Sequence, residues 1–132
     1  MRLSCGGFEM ADLFALAEQR LEWIDQRQRV VAQNIANADT PNFQPRDLTP
    51  FDQLMRNQPV APAQTNALHM AGRVELASLK QEAPAERSPD GNGVGIEGQL
   101  TKVAQDETNA ALVGNLWKTY MGMYMTALGH GS

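Results

Sequence analysis

Apolar residues return at alternating steps of three and four along the first third of the chain: Met10, Leu13, Ala17, Leu21, Ile24, Val31, Ile35 and Ala38, with Gln28 the one polar break. That spacing is a heptad-like stripe over about four repeats and predicts one long amphipathic helix, from about residue 9 to 38 and roughly 45 Å long. Glu18, Arg20, Glu22, Arg27 and Arg29 fall mostly off the stripe, and Asp25 with Arg29 makes an i,i+4 pair in the favourable order. The last third carries a second stripe: Ile96, Leu100, Val103, Ala110, Val113, Trp117, Tyr120, Tyr124 and Leu128, broken by Glu107. Gly114 and Gly122 lower its intrinsic helix propensity, so this helix is expected to lean on neighbours, and Gly129 is a natural stop.

Proline divides the chain in three. All seven prolines lie between Pro41 and Pro89, so only the flanks are open to long helices. Within the middle, "RDLTPFDQLMRN" predicts a short helix begun near Thr49 or Pro50 with Asp52 in its first turn. "PVAPAQTN" reads as a linker, "LHMAGRVELASL" as a short strand or turn pair, and "SPDGNGVG" as turn chemistry before the last helix. The predicted organisation is an N-terminal helical segment at 1–40, an irregular segment at 41–93 and a C-terminal helical segment at 94–132. The fold class is mostly α, with two long terminal helices forming a coiled-coil-like layer. Neither stripe can be satisfied alone, and two helices make a thin core. Oligomerisation and loose ends in the isolated chain are therefore expected.

Composition removes several classes of function. The 132 residues carry a net charge of -4, which leaves no basic footprint for nucleic acid. No window nears the 18 apolar residues of a membrane span, and Glu9 and Asp12 interrupt any secretory h-region after Arg2. Cys5 is the single cysteine and closes no internal disulfide. His69 and His130 are the only histidines, and no spacing of His, Cys or carboxylates offers metal ligands. "DGNGVGIEG" lacks the Lys-Ser/Thr of a phosphate-binding loop and is read as a turn. No enzyme, cofactor or metal is expected. "WKTYMGMYM", with Met121, Met123 and Met125 alternating, makes the last helix apolar on more than one side, which points to contact with more than one partner chain, or alternatively to ordinary core packing.

The end of the first helix, "QNIANADTPNF", is unusual. Asn34 and Asn37 lie one turn apart beside Ile35 and Ala38. Small residues admit a close backbone, and a buried Asn fixes register between helices. Asp39 and Thr40 favour side-chain turns, Thr40 is pushed out of helical space by Pro41, and Asn42 tolerates positive φ. The physics describes a helix end suited to close, register-specific contact, or alternatively a polar last turn on a surface helix.

These residues carry a resemblance. "VVAQNIANADTPNFQPRDLTPF" resembles the N-terminal signature of the flagellar axial proteins of rod, hook and hook-associated type, Ala-x-Asn-Ile-Ala-Asn-x-x-Thr-Pro-Gly-Tyr. Ala32, Asn34, Ile35, Ala36, Asn37, Thr40 and Pro41 match; Asn42 stands for Gly and Phe43 for Tyr, each keeping the chemistry. Arg46-Asp47-Leu48 after the signature, and Val94, Ile96, Glu97 and Leu100 in "GNGVGIEGQL", are similar to the proximal-rod branch, although Gly95, Gly98 and Gln99 replace residues commonly acidic there. The resemblance covers both terminal thirds. Family members usually begin near "FEMADLFALAE", which makes residues 1–7 a candidate extension.

The resemblance implies a structural subunit of the flagellar basal-body rod, exported without a cleaved signal by the flagellar type III apparatus and assembled in the periplasm. It implies that the terminal helices form the innermost layer around the export channel and that the rod passes torque outward. The implied partners are other copies of the chain, other rod subunits, the adaptor between the MS ring and the rod, and the export apparatus. The expected assembly interface is Leu21, Ile24, Val31, Asn34, Ile35, Asn37, Thr40, Pro41 and Phe43 on the first segment. On the last it is Ile96, Leu100, Val103, Trp117, Tyr120 and Tyr124. Aspartate at Ile35 or Trp117 is expected to leave export intact and abolish incorporation. The alternative function is a soluble helical adaptor or flagellar export chaperone, which would be a well-folded dimer rather than a chain with protease-sensitive ends.

Overall fold

The computed structural model describes residues 10–57, 79–81, 91 and 93–129. Five elements follow in order: α1 (Met10–Ala36), β1 (Arg46–Leu48), α2 (Phe51–Asn57), β2 (Leu79–Gln81) and α3 (Ile96–Ala127). The linker at 59–66, the strand expected at 68–79 except Leu79, both histidines and Cys5 lie outside the described residues.

The molecule is mostly helical, and its two long helices pack together. Side chains at Asn34 and Gln99, Arg27 and Asp106, and Phe14 and Trp117 meet in pairs, so α1 and α3 run antiparallel. With Phe14 opposite Trp117, the final turns of α3 run past Met10, where the described part of α1 begins.

α1 ends two residues earlier than its stripe predicts. The Asn37 side chain donates to the Gln33 carbonyl (2.8 Å), and Thr40 Oγ1 donates to Asn37 Oδ1 (3.2 Å). These local bonds replace the next helical turn. Asn42 then takes φ +59, the left-handed conformation that asparagine tolerates. Gly91, at φ +80, lies against it: a β-carbon there would collide with Asn42 Oδ1, so glycine lets the segment before α3 approach the turn after α1. Gly129 at φ +77 closes α3, where its N–H donates to the Thr126 carbonyl (3.0 Å).

β1 and β2 pair antiparallel, with Arg46 opposite Gln81 and Leu48 opposite Leu79. β1 turns the chain back along α1 and delivers Leu48 to the core. That core is small: Trp23, Ile24 and Leu48 cluster together, and Val30, Phe51, Leu54 and Ala110 pack against them. Trp23 Nε1 donates to the Thr49 carbonyl (2.9 Å), Phe51 meets Trp23 edge-on at 6.1 Å, and Arg20 stacks on both rings. The stack makes the short α2 a lid on the middle of α1.

The inner face of α3 departs from its predicted stripe at the N-terminal end. Ile96 and Leu100 are 48% and 54% exposed, whereas Gln99 and Asp106 are buried. The reason lies on α1, whose facing positions are Asn34 and Arg27 and call for polar partners. Of the expected apolar residues farther along, Ala110 packs against the core and Val113, Trp117 and Tyr120 line the groove beside α1, whereas Tyr124 and Leu128 are exposed.

Candidate assembly interface

Three surfaces meet on the helical hairpin: a buried polar seam, an apolar groove and an open apolar edge.

The seam joins α1, β1 and α3. Arg27 reaches Asp47 through Nε (3.1 Å) and Asp106 through a terminal nitrogen (2.9 Å). Lys102 Nζ closes on the other oxygen of Asp47 at 2.9 Å. Asp106 is fully buried, and its second oxygen has no hydrogen-bond partner among the described residues. One heptad away, Asn34 is buried and makes three bonds. Its amide donates to the Arg46 carbonyl (2.7 Å) and to Gln99 Oε1 (3.0 Å), and its oxygen accepts from the Arg46 N–H (3.0 Å).

The two aspartates have opposite characters. Burial pushes the Asp106 carboxyl above the ordinary range, and Arg27 recovers only part of the shift. Burial also opposes charge on Asp47, but hydrogen bonds from Arg27 and Lys102 outweigh it and hold that carboxyl below the usual range. Burial works against the Arg27 charge as well, and its bonds to Asp47 and Asp106 overcome that effect. Asp47 therefore stabilises the fold above its unfolded pKa of about 3.9, and that contribution is lost as pH falls through the lower folded value. Asp106 has the reverse sign: its protonated form favours the fold, an effect complete below about pH 4 and lost as pH rises through the folded value. Asp47→Asn is expected to lower the urea midpoint at pH 7, with the gap to the parent narrowing below about pH 4. A gap of constant width from pH 7 to pH 3 would remove Asp47 as the acid-labile group.

The groove lies between the first half of α1 and the second half of α3. It has a volume of about 240 Å³, and its walls include Leu13, Ala17, Phe51, Leu116, Trp117 and Tyr120, with Arg20 the one charged residue lining it. Phe14 meets Trp117 edge-on at 5.9 Å across its floor. The open edge is the exposed side of α3 at Ile96 and Leu100; Met123, about half a turn round the helix from Ile96, is exposed on another side. A more polar hollow of about 470 Å³ lies by the turn after α1, lined by Asn42, Phe43, Gln44, Arg46 and Gln81.

Residues 16–44, from the groove through the seam to the turn, match the family model for flagella basal body rod proteins. The chain is 33% identical to the flagellar basal body rod protein FlgB of Agrobacterium fabrum over 124 residues, 86% of this chain and 90% of that one. The chain belongs to the FlgB family of rod proteins. Other members are similar over less of its length. FlgB of Escherichia coli is 34% identical over 92 residues, 61% of this chain and 67% of its own. FlgB of Yersinia enterocolitica is 32% identical over 113 residues, 74% and 82% respectively. The chain is thus a structural subunit of the flagellar basal body rod, in association with other rod and basal-body components. No helix among its described residues is long and apolar enough to cross a membrane.

The residues expected at the assembly interface fall into three groups in this FlgB-family chain. Ile24, Val31 and Asn34 are covered by the chain itself. Leu21, Ile35, Asn37, Phe43 and Val103 are partly buried. Thr40, Pro41, Ile96, Leu100, Trp117, Tyr120 and Tyr124 are exposed. Trp117 and Tyr120 come together on the groove, and Ile96 and Leu100 on the edge.

Reading the sequence missed the seam, because Arg27, Lys102 and Asp106 look like ordinary off-stripe charges. A trace of it existed. The polar breaks in the two stripes, Gln28 and Glu107, each lie next to a seam residue.

Proposed function

We propose that this chain is built into the proximal rod through the groove and the open edge of the α1–α3 hairpin. The observation that carries the reading is how much of α3 its own chain leaves uncovered. Leu100, Leu112, Leu116 and Met123 are all more exposed than a monomer of this size needs, and they lie on different sides of the helix. One neighbour cannot cover all of them. Contacts between unlike surfaces on successive subunits generate a helical tube where the rotation between subunits does not close a ring.

In this reading the terminal segments, 1–40 and 94–132, form the axial layer around an export channel, with 41–93 the segment between them. The turn after α1, with Thr40 and Pro41 exposed and Asn37 and Phe43 partly buried beside them, meets a neighbouring subunit. Partners are further copies of the chain, other rod subunits, the adaptor to the MS ring and the type III export apparatus that delivers the chain to the periplasm. Torque passes along the rod through the hairpins, which the buried seam stiffens.

Leu100→Asp tests this reading, because Leu100 is 54% exposed and contributes little to the hairpin itself. The purified variant should melt like the parent. Cells carrying it should be non-motile, and electron microscopy of their basal bodies should show membrane rings without a complete rod. Normal rods containing the variant would overturn the proposal.

A further inference from the structure

We propose that two unlike polar layers, Arg27–Asp106 and Asn34–Gln99, lock the register of α1 against α3. Arg27 and Asn34 are seven residues apart on α1, and Gln99 and Asp106 are seven apart on α3. Both layers therefore sit on the same seam, one heptad from each other, and both are buried between the helices.

A heptad seam has a weakness: sliding one helix by seven residues returns every side chain to the same face. With apolar layers throughout, neighbouring registers differ little in energy. Here the layers differ in chemistry, and each slipped register violates one of them. Sliding α3 one way brings Val113 opposite Arg27 and leaves a buried guanidinium against an aliphatic side chain. Sliding it the other way brings Gln99 opposite Arg27 and Arg20 opposite Asp106, but Asn34 then passes beyond Ile96, the first residue of α3. Only the observed register gives Asp106 and Asn34 their present partners together. Asp47 and Arg46 add a third point of reference, because β1 bonds to the same Arg27 and Asn34 side chains.

The lock exchanges stability for uniqueness. A buried ion pair is often replaced by leucines with no loss of stability, while its geometry still excludes other arrangements. Asp106, whose second oxygen has no partner among the described residues, is a poor stabiliser and a sharp discriminator. A single register matters to a subunit whose outward surfaces are divided between both helices, since a slip would move one half of each surface relative to the other.

Thiol cross-linking of the full chain in a Cys5→Ser background tests the lock. Phe14→Cys is paired with Trp117→Cys for the observed register, where the two rings are 5.9 Å apart. It is paired with Ala110→Cys or Tyr124→Cys for the two slipped ones. The parent should cross-link at 14–117 alone. Arg27→Leu with Asp106→Leu should keep its helix content and melting temperature while the 14–110 or 14–124 product rises by roughly tenfold or more. If the leucine pair does not fold, Asp106→Asn keeps the shape and removes the charge, and the same rise is expected. Cross-linking at 14–117 alone in the folded variant, or equal products in the parent, overturns the proposal.

Discussion

Arg27→Ala is expected to lower the unfolding free energy by about 3–5 kcal/mol, close to the whole stability of a marginal chain. Among the described residues Arg27 is the one side chain that reaches the buried Asp106 with an ion pair, and it holds Asp47 at the same time. Its removal leaves Asp47 with Lys102, but Asp106 with no partner among the described residues. A carboxylate in that position must either stay ionised without compensation or take up a proton at neutral pH, and both cost free energy. The alanine also vacates space beside Trp23, over which the guanidinium lies at 5.4 Å. Urea denaturation at pH 7 measures the loss. A second comparison isolates its cause: Arg27→Ala with Asp106→Ala should be more stable than Arg27→Ala alone, because the unpaired charge has gone. A double variant weaker than the single by the full amount of a separate Asp106→Ala change would show that the two residues act independently.

Much of the hairpin was legible because long helices write a period that is hard to counterfeit. Steps of three and four, kept over about four heptads with no proline, left no other reading of either flank. The end of α1 was legible for a different reason. Asn, Thr and Pro each restrict the backbone locally, so Asn37, Thr40, Pro41 and Asn42 announced their turn without tertiary help. The seam was not legible in this way. Hydropathy gives Asp106 and Glu107 the same value, yet one is fully buried and the other exposed. Which of the two turns inward depends on Arg27, 79 residues away in sequence, and on the phase of α3 against α1. The same holds for Ile96 and Leu100. Their apolar character was plain, but their exposure follows from Gln99 being drawn inward by Asn34. This failure bears on the proposed assembly surface: where an apolar stripe and the observed inner face disagree, the displaced apolar residues are exposed, and the proposal assigns them to a neighbour.

Asn34→Ala is expected to cost about 3 kcal/mol, roughly 1 kcal/mol for each of three hydrogen bonds lost together. Sequence reading valued Asn34 as a register residue between helices, and its partners show what that role consists of here. One bond reaches Gln99 on α3, and the other two reach both backbone groups of Arg46 at the start of β1. A single amide thereby ties the end of one long helix, the beginning of the other and the first strand. Alanine leaves the Gln99 side chain buried without this bond and returns the Arg46 peptide to water only in part. Asn34→Asp should be no better, since it keeps the acceptor for the Arg46 N–H but loses both donors and places a charge where burial is nearly complete. Loss at one point should also spread. Hydrogen exchange should rise at Arg46–Leu48 and in the first turns of α3, while the middle of α1, held by Trp23 and Ile24, keeps its protection. Exchange confined to residues next to Asn34 would mean that the strand and α3 are held by other contacts, and the polar tie would be reduced to a local cap on the end of α1.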